Sequence, residues 1–216
     1  MAFKCPVEAI ESLAGSVSAH QCTLLERYAE RIASAPKPLL VVSRKSLAHL
    51  DEHFVDSAAV LSVVDVDGRS VVDLGSGGGL PGVVLAVLRP AAQVTLVDSR
   101  RSKVTFLKGV QRDLELPNLE VVRGRLEDLA GVREFEVGLS RALGSIETTL
   151  APSLRLVAGG GRLVLFKGPR WQQEAEAAVA IAGQEGAELE RTADVDLPGL
   201  GRTTTFAVFH VKHRGP

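Results

Sequence analysis

Val71-Val72-Asp73-Leu74-Gly75-Ser76-Gly77-Gly78-Gly79 decides how this chain folds. A short apolar run that ends in closely spaced glycines, with a helical segment after it, reads as the first strand, turn and helix of a sheet that holds a nucleotide-like ligand. Without a Cβ in the way, backbone N–H groups and the helix N-terminus come close to such a ligand. Gly75, Gly77 and Gly79 follow the spacing Gly-x-Gly-x-Gly, whereas the dinucleotide fingerprint Gly-x-Gly-x-x-Gly asks for glycine at position 80, where Leu80 stands.

About 20 residues further on, the run Val94-Thr95-Leu96-Val97-Asp98 ends in a carboxylate placed to accept hydrogen bonds from both hydroxyls of a ribose. The plainer reading is a tight turn at Gly77 to Gly79 and a helix cap at Asp98. Loop and acid together favour a ligand, and the glycine spacing favours S-adenosylmethionine over NAD. After the third strand, Gly124-Arg125-Leu126-Glu127-Asp128 brings acids to the same edge. There they either flank an adenine ring or cap a short helix.

Outward from the loop, short apolar runs alternate with helical segments from Arg69 on, the pattern of βαβ units in a doubly wound sheet. Strands are expected at Ser70–Leu74, Gln93–Asp98, Leu119–Arg123, Phe135–Ser140 and Arg162–Lys167, then at Leu189–Val195 and Thr203–Lys212 with no helix between these two. The last would run antiparallel to the others, an ending typical of methyltransferase sheets. Helices are expected from Pro81 to before Pro90, and at Arg101–Leu114, Ser145–Val157 and Trp171–Gln184. Ahead of the sheet, one or two amphipathic helices span Pro6 to about Ser34, a break follows at Pro36-Lys37-Pro38, and a helical stretch runs from Ser46 to Val63. The fold class is α/β: a Rossmann-like sheet of the class I S-adenosylmethionine-dependent type over residues 67–216, with an N-terminal helical extension, 1–66, in one compact unit.

The 216 residues suffice for a substantial core, and 45% of them are hydrophobic with few aromatics, as in a parallel sheet covered on both faces. No leader pattern opens the chain and no apolar stretch approaches the roughly 18–20 residues that span a bilayer, so a cytoplasmic protein is expected. Cys5 and Cys22 lack metal-site spacing and read as small buried hydrophobes; no metal is expected. The net charge of −1 gives no global basic field. Arg100, Arg101, Lys103, Lys108 and Arg112, with Arg123 and Arg125, form either a phosphate-binding rim or a solvated helix face.

Methyl transfer from a sulfonium needs alignment more than acid–base groups. Pyrimidine C5 methylation calls for a cysteine nucleophile, yet both cysteines precede the sheet. Exocyclic amine methylation usually comes with an Asn/Asp-Pro-Pro-aromatic tetrad, and Leu139-Ser140-Arg141-Ala142-Leu143 stands in that place. A ring nitrogen such as guanine N7 has a lone pair and no proton to lose. Arg141 suits it, since a guanidinium binds a guanine O6 edge, a phosphate or a cofactor carboxylate. Arg141 and Lys167, each after a strand at the ligand edge, are the candidate catalytic residues.

Asp73-Leu74-Gly75-Ser76-Gly77-Gly78-Gly79-Leu80-Pro81-Gly82, Leu96-Val97-Asp98-Ser99, Ser140-Arg141-Ala142 and Phe166-Lys167-Gly168 resemble the ribosomal small subunit methyltransferase G family, also called glucose-inhibited division protein B. The likeness runs from about His53 to Val211. It implies a bacterial cytoplasmic enzyme that uses S-adenosylmethionine to methylate N7 of one guanine in the 530 loop of 16S ribosomal RNA. By motif, Gly75, Leu80, Leu126, Glu127 and Arg141 would contact the cofactor and Asp98 its ribose, while Lys167 and Arg125 match basic positions that meet RNA. The resemblance also implies the small ribosomal subunit as partner, and a monomer is favoured. His53-Phe54-Val55-Asp56-Ser57 fits the family, whereas Val41-Val42-Ser43-Arg44 replaces its Asn-Leu-Thr stretch. A small-molecule methyltransferase of the same fold and a non-catalytic nucleotide-binding module are the alternatives.

Overall fold

The computed structural model describes residues 3–35, 47–168 and 171–213, and in it the run ahead of the glycines forms β1 (Ser70–Leu74) at the centre of the sheet. With β2 (Gln93–Asp98), β3 (Leu119–Arg123), β4 (Phe135–Arg141), β5 (Val157–Lys167), β6 (Ala187–Leu197) and β7 (Arg202–Val211), the described residues form a seven-stranded sheet ordered β3-β2-β1-β4-β5-β7-β6. Strands β1 to β5 are parallel, while β7 runs antiparallel to β5 and β6 antiparallel to β7. Past their first residues, β1 and β2 are buried throughout, because helices cover both faces of the sheet.

The bounds expected for β1, β2 and β3 hold to the residue, and β4 continues one residue further, to Arg141. β5 departs more. It begins at Val157, and the helix expected to reach that residue ends at Leu154. Leu154, Leu156 and Val157 are apolar at a spacing that reads as helix, yet Val157 pairs with Phe135 across the sheet. The register then shifts before Val137 meets Arg162, and the surplus residues, Gly159-Gly160-Gly161 among them, form a bulge. At Gly161 a Cβ would stand 2.6 Å from the Glu136 carbonyl oxygen, so only glycine fits. β6 and β7 likewise differ from their expected ends, Leu189–Val195 and Thr203–Lys212.

Ahead of the sheet lie α1 (Val7–Ala14), α2 (Ala19–Ala33) and α3 (Leu50–Ala58), the last followed by a 3-10 turn at Ala59–Ser62. The break at Pro36-Lys37-Pro38, the segment Val41–Arg44, Ser46, Pro169 and Arg214 lie outside the described residues. Between and after the strands come α4 (Gly82–Leu88), α5 (Arg101–Asp113), α6 (Leu126–Leu129), α7 (Ile146–Leu154) and α8 (Trp171–Gln184).

Every residue of α4 is buried. Its sequence, Gly-Val-Val-Leu-Ala-Val-Leu, has no polar face, and a helix apolar all round must be covered all round. The sheet covers one side, and α2 and α3 pack on the others. Ile10, Leu25, Tyr28 and Phe54 of the N-terminal helices therefore share one hydrophobic cluster with Val84, Leu85 and Leu107, while α7 and α8 build a second cluster on the opposite face. Cys5 is buried and Cys22 half-buried at the edge of the first cluster, both as free thiols.

Polar bonds fix this packing. Ser18 and Gln21 form a reciprocal capping box at the start of α2. The same Gln21 amide donates to the carbonyls of Val87 and Leu88, which have no helical partner at the end of α4. The Tyr28 hydroxyl, fully buried, donates to the Gly78 carbonyl at 2.7 Å and so ties α2 to the glycine loop.

Tyr28→Phe leaves that buried carbonyl without its donor. It is expected to lower stability by about 1–2 kcal/mol. A urea unfolding midpoint equal to the wild type would show that the loop does not depend on this bond.

Candidate functional site

The parallel strands all end at one edge of the sheet, and the strand order reverses beside β1, between β2 and β4. Ligands of open α/β sheets bind in the crevice at such a switch point. Here a cavity of about 470 Å³ opens there, lined by Gly75 after β1, Val97 to Arg100 at and after the end of β2, and Gly124 to Glu127 after β3. Ala142 and Leu143 after β4 and Thr148, Thr149 and Pro152 of α7 close the other side. The volume lies within the range of small-molecule sites.

The glycine loop holds its shape through bonds to β2. The Ser76 N–H donates to the Val97 carbonyl at 3.0 Å, and the Ser76 hydroxyl donates to the Asp73 carbonyl while accepting from the Val97 N–H at 3.0 Å. Gly75 has φ +69°, and a Cβ there would meet a Leu143 methyl carbon at 2.1 Å. Gly79 has φ +100°, and a Cβ would meet Tyr28, Val83 and Leu107 at less than 3 Å. Both positions favour glycine by their conformation, and a Cβ would also displace neighbouring side chains.

Asp98 is 4% exposed at the end of β2. One carboxylate oxygen accepts from the Gly77 N–H at 3.0 Å and the other from the Arg100 N–H at 2.8 Å, with the Arg100 side chain at 3.4 Å. Each oxygen can accept more than one bond, so the oriented carboxylate keeps capacity for hydroxyls of a bound molecule. Asp73, fully buried under the loop, accepts from the Gly82 N–H at the start of α4. Burial pushes its carboxyl up to about 7 against the opposing pull of that N–H, of Arg141 and of Ser76.

Of the residues expected from sequence, Gly75, Asp98, Leu126 and Glu127 come together around this one cavity. Leu126 is buried in its wall and Glu127 exposed at its rim. Leu80 is buried behind the loop, in the cluster shared with the N-terminal helices, so its side chain is not part of the lining. Lys167 is held by Glu174 at 2.5 Å and lies 5.3 Å over the Trp171 ring, away from the lining residues.

Arg141 ends β4, but its guanidinium turns toward α3. Nη1 lies 3.2 Å from Asp56 Oδ2 and 3.4 Å from the Ser57 hydroxyl, and Nη2 lies 3.0 Å from His53 Nδ1. Sequence reasoning noted His53, Asp56 and Ser57 only as a family pattern and gave them no role. It also missed Leu143, Thr148 and Thr149, because nothing in their local sequence marks them as a cavity wall. Of the basic run, Arg100, Arg101, Lys108, Arg112, Arg123 and Arg125 are exposed, whereas Lys103 is buried in the first turn of α5. Burial and Arg100 lower the Lys103 pKa, with Asp98 opposing.

The site can hold a nucleoside-like group and supplies no cysteine, since neither Cys5 nor Cys22 lines the cavity. Among the described residues no group of three or more His, Cys, Asp and Glu side chains could hold a metal ion.

Known proteins share both the fold and the sequence. A TehB-like SAM-dependent methyltransferase from Corynebacterium glutamicum superimposes with a TM-score of 0.57 over 88% of this chain and 99% of its own, at 20% identity, a likeness of fold alone. The sheet is that of the class I S-adenosylmethionine-dependent methyltransferases. The ribosomal RNA small subunit methyltransferase G of Carboxydothermus hydrogenoformans is 38% identical over 155 residues, 68% of this chain; the match spans 65% of that relative, a little under two thirds. The protein of that name from Kineococcus radiotolerans is 33% identical over 216 residues, covering 98% of this chain and 82% of its own. The family model described as rRNA small subunit methyltransferase G matches residues 21–196. That match runs from α2 through the glycine loop and β1 to β5 into β6, and the chain belongs to the rRNA small subunit methyltransferase G family.

Proposed function

We propose that this protein transfers a methyl group from S-adenosylmethionine to N7 of a guanine in the 530 loop of 16S ribosomal RNA, on the small ribosomal subunit. The observation that carries the reading is the Asp98 carboxylate, oriented by the Gly77 and Arg100 N–H groups at the rim of a cavity of about 470 Å³. Family membership supplies the acceptor class. We place the reaction in the cytoplasm, with the chain acting as a monomer; among the described residues no helix is long and apolar enough to cross a membrane.

In this reading Asp98 accepts from the ribose hydroxyls, Leu126 and Glu127 flank the adenine, and Gly75 lets the ligand approach the backbone. Leu80 takes part through its backbone, its side chain being buried. Arg141 stands at the methyl-donor end and, with Lys167, serves the reaction. Lys167 and Arg125 face the RNA, for which Lys167 would exchange Glu174 for a phosphate. Residues 1–66 belong to the same catalytic unit, since α2 reaches the glycine loop through Tyr28.

When bound, the cofactor supplies an electrophilic methyl on a sulfonium. Guanine N7 attacks with a lone pair already in the ring plane and loses no proton, so this chain need not offer a base. Its contribution is alignment and exclusion of water, which by effective-molarity arguments is worth up to about 7–11 kcal/mol of barrier.

Label from methyl-labelled S-adenosylmethionine should appear at N7 of a 530-loop guanine when the purified protein meets small subunits lacking the modification. Transfer to another base, or none, would refute the assignment. Asp98→Ala should weaken cofactor binding by about 1–3 kcal/mol in calorimetry, the scale of bonds to a charged group; unchanged affinity removes Asp98 from the site. Gly75→Ala, strained by its φ and pressing on Leu143 in the cavity wall, should reduce cofactor affinity at least tenfold, and an affinity within twofold of wild type would count against the loop as the cradle.

A further inference from the structure

We propose that Asp56 and His53 of α3 are positioning residues that hold the Arg141 guanidinium in its working orientation, so that an N-terminal helix completes the methyl-transfer site. The inference rests on the placement of Arg141 at the methyl-donor end made above.

The geometry begins in the backbone. Ala142 follows Arg141 with φ +56°, in the left-handed region that a residue with a Cβ seldom takes. The turn sends Ala142 and Leu143 to the cavity wall and leaves the Arg141 side chain on the side of α3. A long side chain at the end of a strand has many rotamers, and three partners choose one: Asp56 at 3.2 Å and Ser57 at 3.4 Å on Nη1, and His53 Nδ1 at 3.0 Å on Nη2. A guanidinium has five N–H donors. Among the described residues three are engaged, which leaves the Nε–H and one Nη2–H for a bound carboxylate, phosphate or base edge.

Asp56 is itself anchored. Its second carboxylate oxygen accepts from the Thr204 hydroxyl on β7, and the Asp56 and Arg141 side chains are only 14% and 20% exposed. A charge pair so placed, with both carboxylate oxygens engaged, fixes orientation rather than adding much stability.

His53 faces Arg141, Asp56, Glu52 and Arg202; Glu52 in turn contacts His49 at 2.6 Å and Arg202 at 3.4 Å. Because Nδ1 meets a guanidinium it acts as acceptor, which assigns the proton of the neutral ring to Nε2. Burial, then Arg141, hold the His53 pKa below its usual 6.5, with Asp56 and Glu52 opposing and Arg202 reinforcing. A histidine with a lowered folded pKa gives a contribution that is present above 6.5 and lost as pH falls through the folded value. In acid the imidazolium would repel Arg141 and withdraw an acceptor.

The test compares wild type with Asp56→Asn, Asp56→Glu, Arg141→Ala and the double variant Asp56→Asn/Arg141→Ala, measuring single-turnover methylation of small subunits, cofactor affinity and thermal unfolding. Asp56→Asn should slow methyl transfer at least tenfold, and Asp56→Glu should restore most of that loss. The double variant should be no slower than Arg141→Ala alone within about twofold, because Asp56 acts through Arg141. His53→Gln, which keeps an acceptor but does not titrate, should flatten the fall in wild-type rate below pH 6.5.

Losses that multiply in the double variant would overturn the positioning role, since a residue acting only through general stability slows Arg141→Ala further. So would an Asp56→Asn variant as fast as wild type, or an Arg141→Ala variant that keeps full turnover. A wild-type protein that methylates no small subunit would instead overturn the function proposed above, and the two failures are thereby told apart.

Discussion

The hydrogen bond from the Gly77 N–H to Asp98 joins the first strand–helix turn to the end of the second strand, and the site depends on it. A glycine turn can take many conformations, which is its use and its weakness. Here the freedom is removed on three sides: Asp98 and the Ser76–Val97 exchange hold the loop from β2, Tyr28 holds the Gly78 carbonyl from α2, and Leu143 lies over Gly75. The loop is therefore preformed for a ligand, and the residue that orients the loop is the one proposed to read the ribose. One carboxylate thus couples the shape of the cradle to its occupant.

The N-terminal helices follow from a second constraint, the burial of α4. A seven-residue helix with no polar position cannot face water, and the sheet covers only one of its sides. Helices α2 and α3 supply the missing cover, and in doing so bring Tyr28 to the loop and His53, Asp56 and Ser57 to Arg141. The same helices thus cover α4 and reach the loop and Arg141. This explains how residues ahead of the sheet take part in a site at its carboxyl edge.

Much of this was legible in sequence, and the limits have physical reasons. β1 and β2 could be bounded to the residue because strands buried on both faces are written as largely apolar runs between turn residues, and β3, at the sheet's edge, because Leu119 and Val121 alternate with the exposed Glu120. The cavity's Gly75 and Asp98 were legible because a short βαβ unit sets their separation. The start of β5 was not, since Leu154 to Val157 fit a helical period and the glycines after them look like a loop until they are seen as a bulge. The partners of Arg141 were hidden for another reason. They lie 84 and 88 residues away in the chain, at Ser57 and His53, and no local pattern reports a contact at that range. That Lys167 pairs with Glu174 and that Lys103 is buried on α5 were not legible either, because both are facts of tertiary packing.

The bond from Thr204 to Asp56 spans 148 residues and reaches into β7, which pairs with both β5 and β6. During synthesis, then, Gly77 and Asp98 are both available once the second strand has emerged, whereas the Thr204 bond to Asp56 must wait for the last strand, which lies between two earlier ones. The order of the strands thus makes the Gly77–Asp98 bond a contact within the first half of the chain and the Thr204–Asp56 bond one that waits for its end.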